Sequence, residues 1–134
     1  MSIPVFAVPA WIAALALAPV FAFAAANLPP QTSNQNGVTV KVTPRSLAGP
    51  AWEFEVVFDT HSQELKDDPV KSAALVVDGG APSAPTGWEG DGPGSHHRKG
   101  VLRFASVGTK GDSLQLHIDE VGGVATRSFV WKLK

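Results

Sequence analysis

The sequence predicts an all-β fold: an antiparallel, immunoglobulin-like two-sheet sandwich preceded by an N-terminal hydrophobic signal helix. The first observation is that apolar and polar residues alternate in several short segments, which follow one another about every 10 to 15 residues. The second is that none of the 11 basic and 12 acidic side chains lies in the first 26 positions. The chain therefore divides into an apolar leader and a charged, strand-rich body, for which a small barrel is the alternative architecture.

The uncharged segment 1–26 fits a secretory signal peptide. An apolar, helix-prone run at 10–18 precedes two small-x-small triplets within 22–26, and such triplets are typical of cleavage sites. They place the start of the mature chain near Ala25 or Asn27. The expected location is then the periplasm or the outside of the cell. The alternative is a retained membrane anchor with the domain facing outside, since about 20 apolar residues span a bilayer, and membrane contact is expected only in that case.

Composition and charge exclude several classes of protein. The chain contains no cysteine, so disulfides, thiolate catalysis and iron–sulfur clusters are excluded. A formal net charge of −1 argues against a nucleic-acid partner, which requires a surplus of Lys and Arg on one face. About 108 residues follow the leader, enough for one domain with a single core. We divide them into a flexible linker at 27–36 and a β-sandwich domain at 37–134.

Residues 52–59 (WEFEVVFD) form the clearest predicted strand, because large apolar residues occupy every second position. Residues 38–43 alternate in the same way, and we expect that strand to stop at Pro44. No convincing helix follows residue 26. We predict six or seven strands, including 38–43, 52–59, 73–77, 101–105, 114–118 and 129–133. The expected core aromatic residues are Trp52, Phe54, Phe58, Phe104, Phe129 and Trp131.

The glycine-rich segment 87–100 is expected to be a mobile or Ω-like loop pinned by Trp88. It lacks the Gly-x-x-x-x-Gly-Lys-Ser/Thr spacing of a phosphate-binding loop. Glu89 and Asp91 are oxygen ligands of the kind that calcium prefers, but the EF-hand spacing is absent. The segment therefore indicates no phosphate site and only weakly a calcium site.

Three histidines near predicted strand ends are the candidate ligands of a metal site. His61 follows the clearest strand, and His96 and His97 precede the predicted strand at 101–105. Imidazole binds Zn and Cu(II) well, so we expect a site for Zn or Cu(II) built from His61, His96 and His97, with Asp59 as a carboxylate ligand. The site requires the two strand ends to meet at one end of the sandwich. A Cu(I) site is disfavoured, because the chain offers no cysteine and one methionine.

Two other interpretations of the histidines stay open: a hydrogen-bonding role that fixes a turn, and no specific role. Adjacent side chains of a strand point to opposite faces, so only one of His96 and His97 is expected to face a given site. His117 is expected to face outward from the predicted strand at 114–118.

No catalytic constellation is evident, so we expect an exported protein without enzymatic activity. Ser62 follows His61 directly, but adjacency in sequence is not triad geometry, and the Gly-x-Ser-x-Gly motif is absent. The expected function is binding of a metal ion or small polar ligand through the histidines. The alternative is a structural or protein-interaction module of the cell envelope, which binds an envelope protein without metal through a sheet edge or an aromatic patch.

Three separated blocks carry a resemblance to a known group of sequences. They are residues 52–62 (WEFEVVFDTHS), 95–104 (SHHRKGVLRF) and 121–123 (VGG), the last preceding a tryptophan-containing final strand. Over about residues 37–133, this pattern resembles a family of small exported prokaryotic β-sandwich domains without an assigned activity. The resemblance implies that Asp59-x-His61 and the 96–98 segment belong to one shared pattern. It implies no substrate, reaction or ligand.

Overall fold

The structure, a computed structural model, describes residues 28–106 and 111–133. The predicted signal helix at 1–26 lies outside these residues. Within them the chain forms eight strands and one short helix, in the order β1 (Gln31–Gln35), β2 (Val38–Ser46), β3 (Ala51–Thr60), α1 (Pro69–Ser72), β4 (Ala73–Val77), β5 (Gly87–Gly90), β6 (His97–Ala105), β7 (Ser113–Asp119) and β8 (Thr126–Lys132). A 3-10 turn at Val121–Gly123 precedes β8. None of the helices in the described part has the length and apolar character needed to cross a membrane.

The strands form two antiparallel sheets on either side of one core. The larger sheet has the order β1-β2-β3-β6-β5, and the smaller has the order β4-β7-β8. All pairings between these neighbours are antiparallel. The prediction of an all-β, sandwich-like fold is therefore confirmed.

The aromatic residues that the sequence assigns to the core are all buried. Phe54 on β3 joins the two sheets. Its ring centroid lies 5.7 Å from that of Phe104 on β6 of the same sheet, and 5.9 Å from that of Trp131 on β8 of the other sheet. Burial alternates along β3 as far as Thr60, because period-two side chains of a strand face the core in turn. The core thus extends to the strand end beside the predicted histidine site.

Strand β1 lies within the segment that we predicted as a flexible linker. The structure corrects this prediction for Gln31–Gln35, which pair with β2 over their whole length. Asn36 and Gly37 form the connecting turn with φ values of 53° and 77°, as expected for a two-residue hairpin turn that needs positive φ at both positions. The Gln31 side-chain amide also bonds both the backbone N–H and the carbonyl of Val130 on β8. A strand without apolar residues is thus held by backbone and amide hydrogen bonds.

The sequence predicted that strand β2 stops at Pro44, and this prediction is wrong. The strand continues to Ser46, with an irregularity between these two residues. The physical reason is the short length of β1. Its first residue, Gln31, lies opposite Val42, so β1 does not reach Pro44. At Pro44 the strand therefore pairs on one side only. Proline is tolerated there, because its missing N–H faces no neighbouring strand.

The predicted loop at 87–100 is a hairpin whose first four residues form β5. Trp88 anchors it, as predicted: the indole lies 6.1 Å from the Phe58 ring, and its Nε1 donates to the Asp91 carbonyl at 3.0 Å. A Cβ atom on Gly100 would come within 2.5 Å of the indole. The glycine in β6 therefore makes the room in which Trp88 packs.

Candidate functional site

Asp59 and His97 form a pair at the end of the larger sheet. They lie directly opposite each other on β3 and β6, and His97 Nδ1 is 2.7 Å from Asp59 Oδ1. Both side chains are more than half exposed, at 55% and 58%. If the ring is neutral and Nδ1 carries the proton, Nδ1 donates to the carboxylate and Nε2 keeps its lone pair facing solvent. The pair thus presents a ring nitrogen that can accept a proton or a metal ion.

The pair belongs to a polar row that crosses four strands. Asn34 on β1 lies opposite Thr39 on β2, Thr39 lies opposite Asp59, and Asp59 lies opposite His97. The neighbours of Asp59 and Thr39 along their strands are buried, so by alternation the row lies on the outer face of the sheet. An amide, a hydroxyl, a carboxylate and an imidazole are therefore arranged in one line.

A surface depression of about 320 Å³ lies beside this row. Its lining consists of the following residues: Asn34, Gly37, Thr39, Asp59, Thr60 and His61. Two of the predicted site residues, Asp59 and His61, thus border one depression. A third, His97, contacts the Asp59 carboxylate from the other side.

Thr60 connects the three segments that surround the depression, and the sequence analysis missed it. Its hydroxyl donates to the Gly37 carbonyl at 2.8 Å and accepts from the Ser62 amide at 3.2 Å. Its backbone N–H donates to the His96 carbonyl at 2.9 Å. Only 6% of Thr60 is exposed. The residue before His61 therefore fixes the β1–β2 turn, the His61 loop and the start of β6 relative to one another.

His96 contributes to this region through its backbone. Its side chain is exposed, and the hydrogen bonds of the described residues involve its carbonyl and not its ring. His96 lies just before β6, and the hydrogen bond to Asp59 comes from His97. Across residues 28–106 and 111–133, no group of three or more His, Cys, Asp or Glu side chains is arranged to hold a metal ion. The metal site remains a prediction, and coordination would require side chains to rotate.

His117 lies on β7 in the other sheet, and its Nε2 is 2.8 Å from Gln115 Oε1. It is therefore separate from the Asp59–His97 pair. The sequence analysis considered an exposed aromatic patch as an interaction surface. In the part of the chain that the structure describes, Val130 is the large apolar residue that is exposed, at 42%, and it is not aromatic.

Arg98, beside His97, is a buried cation that sequence reasoning missed. It is 3% exposed and donates to the carbonyls of Asp67 at 2.7 Å and Asp91 at 3.1 Å, with a longer bond to Leu65 at 3.4 Å. Its Cζ lies 5.7 Å from the centre of the Trp88 ring, within cation–π range. Burial lowers the pKa of Arg98, and nearby aspartates oppose that shift. The guanidinium thus connects the loop that contains Leu65 and Asp67 to Asp91, beside the end of β6 that carries His97.

Arg127 has the same role under the β1–β2 hairpin. It is 1% exposed and donates to the carbonyls of Val38 at 2.9 Å, Gln35 at 3.1 Å and Val121 at 3.1 Å, and to Ser33 Oγ at 3.0 Å. Its Nε has no partner among the described residues. Burial lowers the pKa of Arg127. At neutral pH the group stays charged, so its burial costs free energy that the hydrogen bonds offset.

The signal that locates both arginines is their position in an alternating pattern. Arg98 occupies the inward series of β6 with Leu102 and Phe104, and Arg127 occupies that of β8 with Phe129. A basic residue in an apolar series predicts a buried, hydrogen-bonded charge.

Comparisons with known proteins found no matching family model, no similar curated protein and no similar solved structure.

Proposed function

We propose that this chain is an exported, non-enzymatic β-sandwich protein that binds Zn or Cu(II) at the Asp59–His97 end of its larger sheet. His97 Nε2 and His61 are the imidazole ligands. Asp59, which the sequence included as a ligand, instead orients His97: its carboxylate accepts from Nδ1 on the edge of the ring away from Nε2 and acts on the metal through that ring. His96, which the sequence included, is the least favoured member of the set, because the contact with Asp59 comes from His97 and the ring of His96 forms no hydrogen bond among the described residues.

The observation that carries this proposal is the 2.7 Å contact between His97 Nδ1 and Asp59 Oδ1. A metal-bound histidine almost always donates its other ring N–H to a carboxylate, a carbonyl or water, and this partner fixes the tautomer and raises the basicity of the ligand nitrogen. The pair has that arrangement on an open surface. An exposed pair with no ligand role would gain little, since surface ion pairs contribute about 0–1 kcal/mol.

His61 is the second ligand because it shares a depression with Asp59 and lies two residues beyond it in the chain. The side chains of both histidines are exposed, so bringing them together costs rotamer freedom and opens no part of the core. The backbone around His61 is already fixed by the hydrogen bonds of Thr60. The proposal therefore needs the two rings to reach one ion by side-chain rotation on this backbone.

The finer points of fold and location are also part of the proposal. The order β2-β3-β6-β5 in one sheet and β4-β7-β8 in the other supports an immunoglobulin-like topology of the constant type. In this interpretation β1 is an additional N-terminal edge strand. Export to the periplasm or the outside is supported by the uncharged residues 1–26 and the small-x-small triplets near their end.

The test is a calorimetric titration of the purified protein with Zn and with Cu(II). We expect saturable binding at micromolar protein concentrations, weakened at least about tenfold by His97→Ala and by His61→Ala. His96→Ala and His117→Ala are matched controls that each remove one imidazole, and we expect them to keep the affinity of the original protein. Absence of binding by the original protein, or equal losses in all four variants, would contradict the proposal.

A further inference from the structure

Asn36 and Gly37, the turn between β1 and β2, form the one Asn-Gly pair of the sequence. In such a pair the backbone nitrogen of the glycine can attack the side-chain amide carbon of the asparagine, because glycine has no side chain that hinders the approach. Both residues are exposed, so water reaches them. The turn therefore carries an amide that can react with its own backbone without an enzyme.

The reaction has two steps. In the first, the Gly37 nitrogen gives its proton to water or hydroxide and bonds to Cγ of Asn36, and the side-chain nitrogen takes up a proton from water and leaves as ammonia. The product is a succinimide ring. In the second step, water adds to one of the two ring carbonyls and opens the ring to aspartate or to isoaspartate, in which the main chain runs through the side chain. Overall, one water is consumed and one ammonia is released.

The folded turn holds the two reacting atoms apart. The φ of Asn36 is 53°, in the left-handed region, where ψ is about +50°. This ψ places the Gly37 nitrogen nearly opposite to Cβ of Asn36 about the Cα–C bond. Ring closure requires the nitrogen and Cβ to lie on the same side of that bond. The peptide between Asn36 and Gly37 must therefore turn over before the attack.

Three hydrogen bonds resist that rotation. The Asn36 carbonyl accepts from Gln63 Nε2 at 2.7 Å, and the Gly37 carbonyl accepts from the Thr60 hydroxyl at 2.8 Å. These two bonds hold the carbonyls on both sides of the attacking nitrogen. The Asn36 side-chain nitrogen also donates to the Gly122 carbonyl, at a longer 3.3 Å. The bond from Gln63 belongs to the peptide that has to turn over, so this bond must break before the reaction.

We infer that Asn36 is a site of spontaneous deamidation, which the folded turn suppresses by holding the Asn36–Gly37 peptide, and that the isoaspartyl product loosens β1. An aspartate product fits the turn, because Asp-Gly pairs adopt the same two-residue hairpin geometry. Isoaspartate lengthens the main chain inside the turn, so the flanking pair of Gln35 and Val38 loses its register. Strand β1 has no apolar side chain to hold it in place once this pairing is disturbed.

The test measures deamidation at Asn36 by mass spectrometry of proteolytic peptides, in the folded protein and in protein unfolded by guanidinium chloride at the same temperature and pH. We expect the folded protein to react at least about tenfold more slowly, because the peptide must first leave its hydrogen bonds. Asn34, which precedes a glutamine, is the internal control and should react far more slowly than Asn36 in the unfolded chain. Equal rates in the two states, or no reaction of Asn36 in the unfolded chain, would overturn the inference.

Gln63→Ala tests the bond that holds the peptide. We expect this variant, while folded, to deamidate at Asn36 several-fold faster than the original protein. Gln115→Ala removes a glutamine side chain from the other sheet and is the matched control, which should keep the original rate. Circular dichroism checks that both variants are folded during the assay. Equal rates in the two variants would show that the turn does not suppress the reaction in this way.

Hydrogen exchange tests the effect of the product on β1. The isoaspartyl chain, separated by chromatography after reaction in denaturant and refolding, is compared with Asn36→Asp, which has the same charge and an ordinary main chain. We expect the amides of β1 to exchange several-fold faster in the isoaspartyl chain, and those of β7 to exchange equally in both. If β1 exchanges at the same rate in both chains, the product does not loosen the strand and the inference is wrong on this point.

Discussion

The hydroxyl of Thr60 lies 2.8 Å from the carbonyl of Gly37, to which it donates, and this bond joins the β1–β2 turn to the loop of His61. Replacing Thr60 by valine keeps the shape of the side chain but leaves the Gly37 carbonyl and the Ser62 amide without their partner. We expect Thr60→Val to lower the free energy of unfolding by about 1–3 kcal/mol, measured by urea denaturation. Thr60→Ser retains the hydroxyl and should lose about 1 kcal/mol or less. Equal losses in the two variants would show that the hydroxyl is not responsible.

The contact between Trp88 and Gly100 gives a prediction about packing. A Cβ atom at Gly100 would lie 2.5 Å from the indole and 2.8 Å from the Glu89 carbonyl, so Gly100→Ala forces Trp88 or β5 to move. We expect a loss of about 1–3 kcal/mol. Gly92→Ala is the control, because a Cβ atom there meets nothing within 4 Å. Thermal unfolding should show a lower Tm for Gly100→Ala and little change for Gly92→Ala; the reverse order would contradict this packing.

Arg127 is expected to hold the N-terminal hairpin on the domain. Arg127→Ala leaves several buried carbonyl oxygens without a donor and should lower the free energy of unfolding by at least about 2 kcal/mol. Arg45→Ala is a suitable control, since that side chain is 52% exposed in a 4.0 Å ion pair with Glu55, and it should change stability by no more than about 0.5–1 kcal/mol.

Hydrogen exchange separates this role of Arg127 from a general loss of stability. In Arg127→Ala we expect the amides of β1 and of the first half of β2 to exchange faster than those of β7. The free energy of the local opening that exposes these amides should lie well below the free energy of global unfolding. Uniform acceleration throughout the domain would show that the guanidinium does not act on the hairpin in particular.

Asp59 is expected to raise the metal affinity through His97. Asp59→Asn keeps the size of the side chain, but it removes the charge that favours the Nδ1–H tautomer of His97. We expect Zn affinity to fall about 10–100-fold while stability changes by less than about 1 kcal/mol, because the pair is exposed. Asp119→Asn, on the other sheet, is the matched control. If Zn titrations of the two variants are the same, Asp59 does not support the site.

The strands that the sequence predicted are those in which large apolar residues alternate. In residues 52–59 four apolar side chains face one side, and the period is visible without any knowledge of partners. Strand β1 was missed because its side chains carry no such signal. Its evidence is the Asn36-Gly37 pair, a strong hairpin signal, followed directly by an alternating strand. The polar composition before it favoured a linker, although a tight turn with backbone pairing is sufficient to order the segment.

For the site, the sequence predicted which candidate ligands lie near strand ends. It did not predict that Asp59 meets His97, because that contact depends on the register between β3 and β6. That register is set by the packing of whole sheets and is not visible in a local pattern. The role of Thr60 was missed for a related reason, since its partners lie 23 and 36 residues away in the sequence. The two buried arginines were accessible in principle, because each occupies an inward position of an alternating strand.

The most direct test of the proposed metal site is an NMR spectrum of the histidine side-chain nitrogens recorded before and after addition of one equivalent of Zn. Before addition, His97 should be the Nδ1–H tautomer, as its contact with Asp59 implies. After addition, we expect the Nε2 resonance of His97 and one ring nitrogen of His61 to shift, and those of His96 and His117 to stay in place. Unchanged His97 and His61 resonances at saturating Zn would contradict the account.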